Sequence, residues 1–164
     1  MDFFDVNKFP GSENNMDALP KGDTPLISAK NNSNGLKGFV TTPPSRVKPG
    51  GTISWNKDGD GGAGYAFYQP MEYAVDSHVF VLSPKMNISG DACIFITTIL
   101  SQYAQIFGHG RANSLSRIKR ERFMLPVADE GEPDWRYMER YTWGVLSQQT
   151  SSYLDYLDKR MEKI

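Results

Sequence analysis

A chain of 164 residues with 39 % apolar and 12 % aromatic side chains can bury a core as a single domain, which excludes a disordered tract. One cysteine excludes an internal disulfide framework, and the longest apolar stretch, near Cys93 to Leu100, is far short of a membrane span. The net charge of −1 hides a segregation: residues 24–57 and 92–120 hold nine cations and no acid, which leaves −10 for the rest and predicts an electropositive face.

In chain order, residues 1–23 are polar and turn-rich, with Phe3, Phe4 and Phe9 expected to anchor them to the core; Asp2 and Asp5 do not suit a secretory leader. "TPLISAKNNSNGLKGFV" reads as a strand, an Asn/Gly turn and a second strand. "TTPPSRVKPGGTISW" is a proline-punctuated loop that enters a strand through Ile53. "WNKDGDGGAGYAFYQP" predicts a hairpin, with Asp58-Gly59 and Asp60-Gly61 as favoured two-residue turns. "EYAVDSHVFVL" predicts one further strand, bulged near Asp76.

The period then changes. Ile94, Phe95, Ile99, Tyr103 and Ile106 predict an amphipathic helix between Asp91 and Gly108. Ser114 is placed to cap a short helix, before Phe123, Met124 and Leu125 make a strand that stops at Pro126. Pro133 opens a helix with Trp135, Met138 and Tyr141 on one side. Leu154, Leu157, Met161 and Ile164 follow at coiled-coil spacing, an apolar stripe that needs a partner from the fold or from a second molecule. The whole predicts an α+β domain: a twisted, mostly antiparallel sheet or partial barrel, a packed amphipathic helix and a C-terminal helix.

The glycine-rich hairpin invites two functional readings. Asn56, Asp58 and Asp60 with Gly61 mimic half of a calcium loop, but the twelfth position is Phe67, which offers no ligand, and the flanks read as strands. No Lys-Ser/Thr or helix start follows the glycines, as a phosphate loop requires. His78, His109 and Cys93 are too few for an ordinary zinc site, so no metal is expected; His109 reads as a loop residue or as a ligand or base. No Gly-x-Ser-x-Gly, His-Glu-x-x-His or CxxC occurs, and no glycine loop follows a parallel strand to hold a cofactor. Neither catalytic residues nor a cofactor is expected.

The acid-free windows instead carry groups that contact phosphates and base edges. Ser28, Lys30, Asn31, Asn32 and Asn34 share one turn, although asparagine also serves turn geometry alone. His109, Arg111, Asn113, Ser114, Arg117, Lys119 and Arg120 share the second window, and Lys57 flanks the hairpin. Tyr65 and Tyr68 are candidate stacking groups, with at least one ring among Tyr65, Phe67 and Tyr68 expected inside. Two other readings stay open: a β-rich carbohydrate- or ligand-binding domain with a calcium-dependent aspartate loop, and an assembly module docking through the terminal heptads.

From "TPLISAKNNSNGLKGFV" through "GYAFYQP" and "GHGRANSLSRIKRERFMLPV" to "GEPDWRYMERY", over roughly residues 20–145, the chain resembles the target recognition domains of DNA specificity subunits from type I and type IIB/IIG-like restriction-modification systems. The resemblance implies a non-catalytic, cytoplasmic module that binds one half of a split duplex DNA target. Methylation would fall to a partner adenine methyltransferase subunit and cleavage to a restriction subunit. It implies residues 1–145 as the recognition domain and 146–164 as the start of a spacer or dimerisation helix, hence a possible homodimer. Arg111, Asn113 and Arg117 match the segment expected to make the best contacts, whereas Trp135 and Tyr137 are expected to pack the terminal helix. Asp58 and Asp60 depart from what a phosphate backbone tolerates, unless one accepts from a cytosine amino group.

Overall fold

Along β4 (Thr52–Asn56) the apolar Ile53 and Trp55 alternate with Thr52, Ser54 and Asn56, a pattern that ordinarily puts the polar set in water. In the computed structural model, which describes residues 2–8, 18–59, 61–107 and 114–162 (the side chains of Tyr103 and Gln105 excepted), all five are buried. Ile53 and Trp55 face the helices, while the polar set turns the other way and is hydrogen-bonded. Thr52 Oγ1 meets the Tyr73 hydroxyl at 2.8 Å, Ser54 Oγ donates to Phe67 O at 3.3 Å, and Asn56 Nδ2 donates to Lys30 O at 2.7 Å. Such partners are what permit burial, since an unpaired buried amide or hydroxyl costs about 1–3 kcal/mol.

β4 lies in an antiparallel four-stranded sheet with β1 (Phe4–Lys8), β5 (Ala66–Gln69) and β7 (Val79–Pro84), in the order β1-β7-β4-β5. The other sheet has the order β3-β2-β6, with β2 (Lys21–Ile27) antiparallel to β3 (Leu36–Val40) and parallel to β6 (Ala74–Val75). The described strands close no barrel. Phe80 and Leu82 of β7 join Phe4, Ile53 and Trp55 beneath α1 (Gly90–Ser101), whose Ala92, Cys93, Ile96 and Leu100 complete the main core. Val79 and Val81 point the other way, onto Ile27, Tyr73 and Val75 of the second sheet. A strand covered on both faces is therefore a continuous apolar run, as "VFVL" is.

Ser89 caps α1, its Oγ accepting from Ala92 N at 3.2 Å, and Ser114 caps α2 (Leu115–Ile118) as anticipated. Asp134 caps α3 (Trp135–Met161), a helix about 40 Å long that docks through its first two turns. Met138 and Thr142 are buried there, Trp135 meets Phe3 edge-on at 5.4 Å, and Tyr137 meets Phe95 of α1 at 6.4 Å.

Five expectations from the sequence need correction. Residues 73–84 are not one bulged strand: the Asp76 carboxylate accepts from His78 N at 2.9 Å, and this turn transfers the chain from one sheet to the other. The N-terminal segment contributes a paired strand, β1, rather than only turns. The β4–β5 connection is not a two-residue turn: β4 ends at Asn56 and β5 begins at Ala66, with Asn56 N donating to Tyr65 O at 2.8 Å, and Asp60 lies outside the described residues. Residues 121–126 make no strand, and only Val127 bridges Pro133. The α-helix stops at Ser101 and continues as a 3-10 turn, with Ile106 left 46 % exposed; its buried face is Ala92, Cys93, Ile96 and Leu100, because α1 is apolar nearly all round and sheet contact sets the phase.

Candidate nucleic-acid interface

Three segments converge at one end of the four-stranded sheet: the β2–β3 loop at 28–35, the β4–β5 loop after Asn56, and the segment that follows α1 at 104–107. The glycines are what let them meet. A Cβ on Gly62 would stand 1.9 Å from Ala29 O, and one on Gly59 2.9 Å from Ala29 Cβ. On the opposite side, a Cβ on Gly64 would stand 2.6 Å from Ala104 Cα. The loop is thus a spacer between two backbones. Asp58 contacts Lys57 Nζ at 3.2 Å and pairs with His78 Nδ1. Among the described residues, no three His, Cys, Asp or Glu side chains group as a metal site would require.

Within the first loop the candidate residues divide. Asn31 and Asn32 are exposed. Lys30 folds back, its Nζ donating to Leu36 O at 2.9 Å, and Asn34 Nδ2 donates to Tyr68 O at 3.0 Å. Ser28 is half-buried and pairs through its backbone with Gly35 O at 3.0 Å. Lys57 Nζ also reaches Ser77 O at 3.3 Å.

Of the three aromatic residues, Tyr65, Phe67 and Tyr68, none is fully buried; each is half-buried, contrary to the expectation of a ring inside. Tyr68 packs its hydroxyl end over Gly90 at the start of α1, where burial first, then the neighbouring Cys93 and Asp91, lifts its pKa above the ordinary phenol value. That places it against the core more than toward a ligand.

The second basic window is placed only in part, because His109, Arg111 and Asn113 lie outside the described residues. Ser114 serves as the α2 cap, Arg117 is half-buried, and Arg120 Nε donates to Ser116 O at 3.1 Å. Lys119 and Arg120 border a cleft of about 720 Å³ with Asp2, Phe3, Phe4 and Glu121, beside β1. This is the edge of the sheet remote from β5. The described cations therefore do not make one unbroken positive surface: Asp58 sits on Lys57, and Asp2 and Glu121 sit beside Lys119 and Arg120. Sequence reasoning also missed Asn56 and Gln69, which anchor the first loop. The signal that points to Asn56 is the polar alternation along β4, whereas Gln69 closes β5.

Comparison with known proteins covers almost the whole chain. The Type I restriction modification DNA specificity domain matches residues 1–154. The specificity subunit S.BcgI of a type II restriction enzyme from Heyndrickxia coagulans is 23 % identical over 154 residues, 93 % of this chain and 44 % of that protein. The chain thus spans less than half the length of that curated relative. The fold is similar to a type I restriction-modification S subunit from M. genitalium, with TM-score 0.55 and 16 % identity over 96 % of this chain and 40 % of that one. It is also similar to an HsdS subunit from Thermoanaerobacter tengcongensis, with TM-score 0.57 and 13 % identity over 92 % of this chain and 37 % of that one. On the family match over residues 1–154, this chain belongs to the Type I restriction modification DNA specificity domain family.

Proposed function

We propose that the chain is a sequence-specific duplex DNA-binding module, one recognition half of a cytoplasmic specificity subunit, that performs no chemistry itself and directs a partner adenine methyltransferase and a restriction subunit. The family match over residues 1–154 carries this reading. The geometry supports it, since the converging loops hold Asn31 and Asn32 out to solvent from a braced backbone. Among the described residues no helix is long and apolar enough to cross a membrane.

The purified protein is expected to bind duplex DNA, with log affinity falling linearly in log salt as phosphate counterions are released. Fluorescence anisotropy on mixed duplexes at low salt checks this, and failure to bind any would sink the reading. In the same assay Arg111→Ala should weaken binding by about 1–3 kcal/mol if the guanidinium meets a base.

We further assign residues 1–145 to recognition and 146–164 to the start of a spacer helix that pairs with a second copy. Tyr153, Leu154, Tyr156 and Met161 stand more than half exposed on α3, an apolar load that association would cover. Light scattering on a chain cut before Ser151 should report a monomer where the full chain is a dimer. Equal masses for the two would remove the dimer.

A further inference from the structure

The loop at 28–35 is pinned at both ends by buried side chains from the neighbouring sheet. At one end Asn56, 0 % exposed, donates from Nδ2 to Lys30 O at 2.7 Å and to Gly62 O at 2.8 Å. At the other end Gln69, 4 % exposed, donates from Nε2 to Asn34 O at 3.1 Å and to Ser54 Oγ at 3.0 Å. Asn34 returns the contact, with Nδ2 at 3.3 Å from Gln69 Oε1. Lys30 Nζ closes the loop from inside on Leu36 O. Only Asn31, Asn32 and Ser33 lie between the two pins, and all three are exposed.

The loop is held under strain. Ser33 (φ 50°) and Asn34 (φ 53°) adopt the left-handed conformation without being glycine, and Asn56 Oδ1 is buried with no hydrogen-bond partner among the described residues. Strained backbone and unsatisfied buried polar atoms persist only where the surroundings over-determine them, and they gather at functional sites. Here both surround a three-residue tip, which they fix against the sheet.

We propose that Asn31, Asn32 and Ser33 are the specificity-determining tip of this domain, and that Asn56 and Gln69 are positioning residues that fix its backbone against DNA. The inference rests on the duplex-binding reading above. Two adjacent carboxamides suit adenine, whose major-groove edge offers N7 and N6 to one bidentate amide. The tip therefore reads adenine-containing steps. Lys30, whose Nζ donates to Leu36 O, and Asn34, whose Nδ2 donates to Tyr68 O, shape the loop.

The test selects duplexes from a randomised library with the full wild-type chain, then with Asn31→Ala and Asn32→Ala. Each variant should lose the preference at one adenine-containing position and bind the wild-type motif about tenfold more weakly. Binding to mixed-sequence DNA at low salt should fall less than binding to the motif. Asn56→Ala should lower the ratio of motif to mixed-sequence affinity about tenfold and speed amide exchange across residues 28–35. Gln69→Met, which keeps the length and removes both polar atoms, gives the same readout should Asn56→Ala not fold. A wild-type motif retained by both tip variants at wild-type affinity overturns the inference and leaves the DNA reading standing. Equal loss on motif and mixed DNA in both anchor variants overturns the positioning roles. A wild-type chain that selects no motif sinks the inference together with sequence-specific reading.

Discussion

Gly64→Ala is expected to destabilise the protein by about 3 kcal/mol or more. Two penalties add. Gly64 has φ +83°, a left-handed conformation that costs an L-residue about 1–2 kcal/mol. Its Cβ would also stand 2.6 Å from Ala104 Cα and 2.9 Å from Ala104 N, backbone atoms that move only with the end of α1. Displacing Gly64 would also pull its carbonyl from the indole of Trp55, which donates to it at 2.7 Å. Gly38→Ala is the control, with no heavy atom within 4 Å of the added methyl. Urea unfolding of the two variants decides the matter; equal midpoints would refute the packing described for the loop.

Alkaline pH should weaken the fold well before its lysines are all neutral. Burial raises Tyr73 to about 12, against a hydrogen bond with Thr52 that lowers it, and burial raises Cys93 to about 11. Both groups are favoured protonated in the folded chain, so their stabilisation is complete below about pH 9. As pH climbs, the unfolded chain ionises first, the thiol near 9 and the phenol near 10, and stability is lost until the folded values are passed near 11 and 12. At about 1.4 kcal/mol per unit, each group contributes a loss of about 2–3 kcal/mol. Unfolding midpoints between pH 8 and 12 should decline accordingly, and Tyr73→Phe with Cys93→Ala should flatten the decline. An unaltered slope in the double variant would show that neither group controls it.

Local pattern carried much of this architecture. The turn residues of "SAKNNSNG" separate two strands in the structure as they do on paper, and Pro133-Asp134 opens α3 where capping chemistry requires. What escaped was decided at long range. Alternation in "EYAVDSHVFVL" is locally continuous, yet a single carboxylate turn at Asp76 sends its halves to different sheets. The burial of Thr52, Ser54 and Asn56 is not legible along the strand, because nothing nearby announces the segments that cover them.

The candidate site shows the same division. Asn31 and Asn32 were legible as exposed polar residues on a turn, but Lys30 and Asn34 beside them bond partners 6 and 34 residues away. Lys57 counted as a free cation in the sequence; Asp58 and the fold's placement of Ser77 against its ammonium revise that. Charge windows record composition, whereas pairing depends on which strands become neighbours.

The register of β1 has a kinetic side. Its partners lie 80 residues downstream for Phe4, at Pro84, and 72 for Lys8, at Phe80. On the ribosome this strand precedes its partner β7 and waits until β7 is made. Closing a loop that long costs about 2 kcal/mol more entropy than closing one of ten residues. Until closure, the flank of β7 offers unpaired amides and carbonyls beside an incomplete core, an invitation to a strand from another nascent copy. Slow synthesis and dilute expression would favour the intramolecular partner.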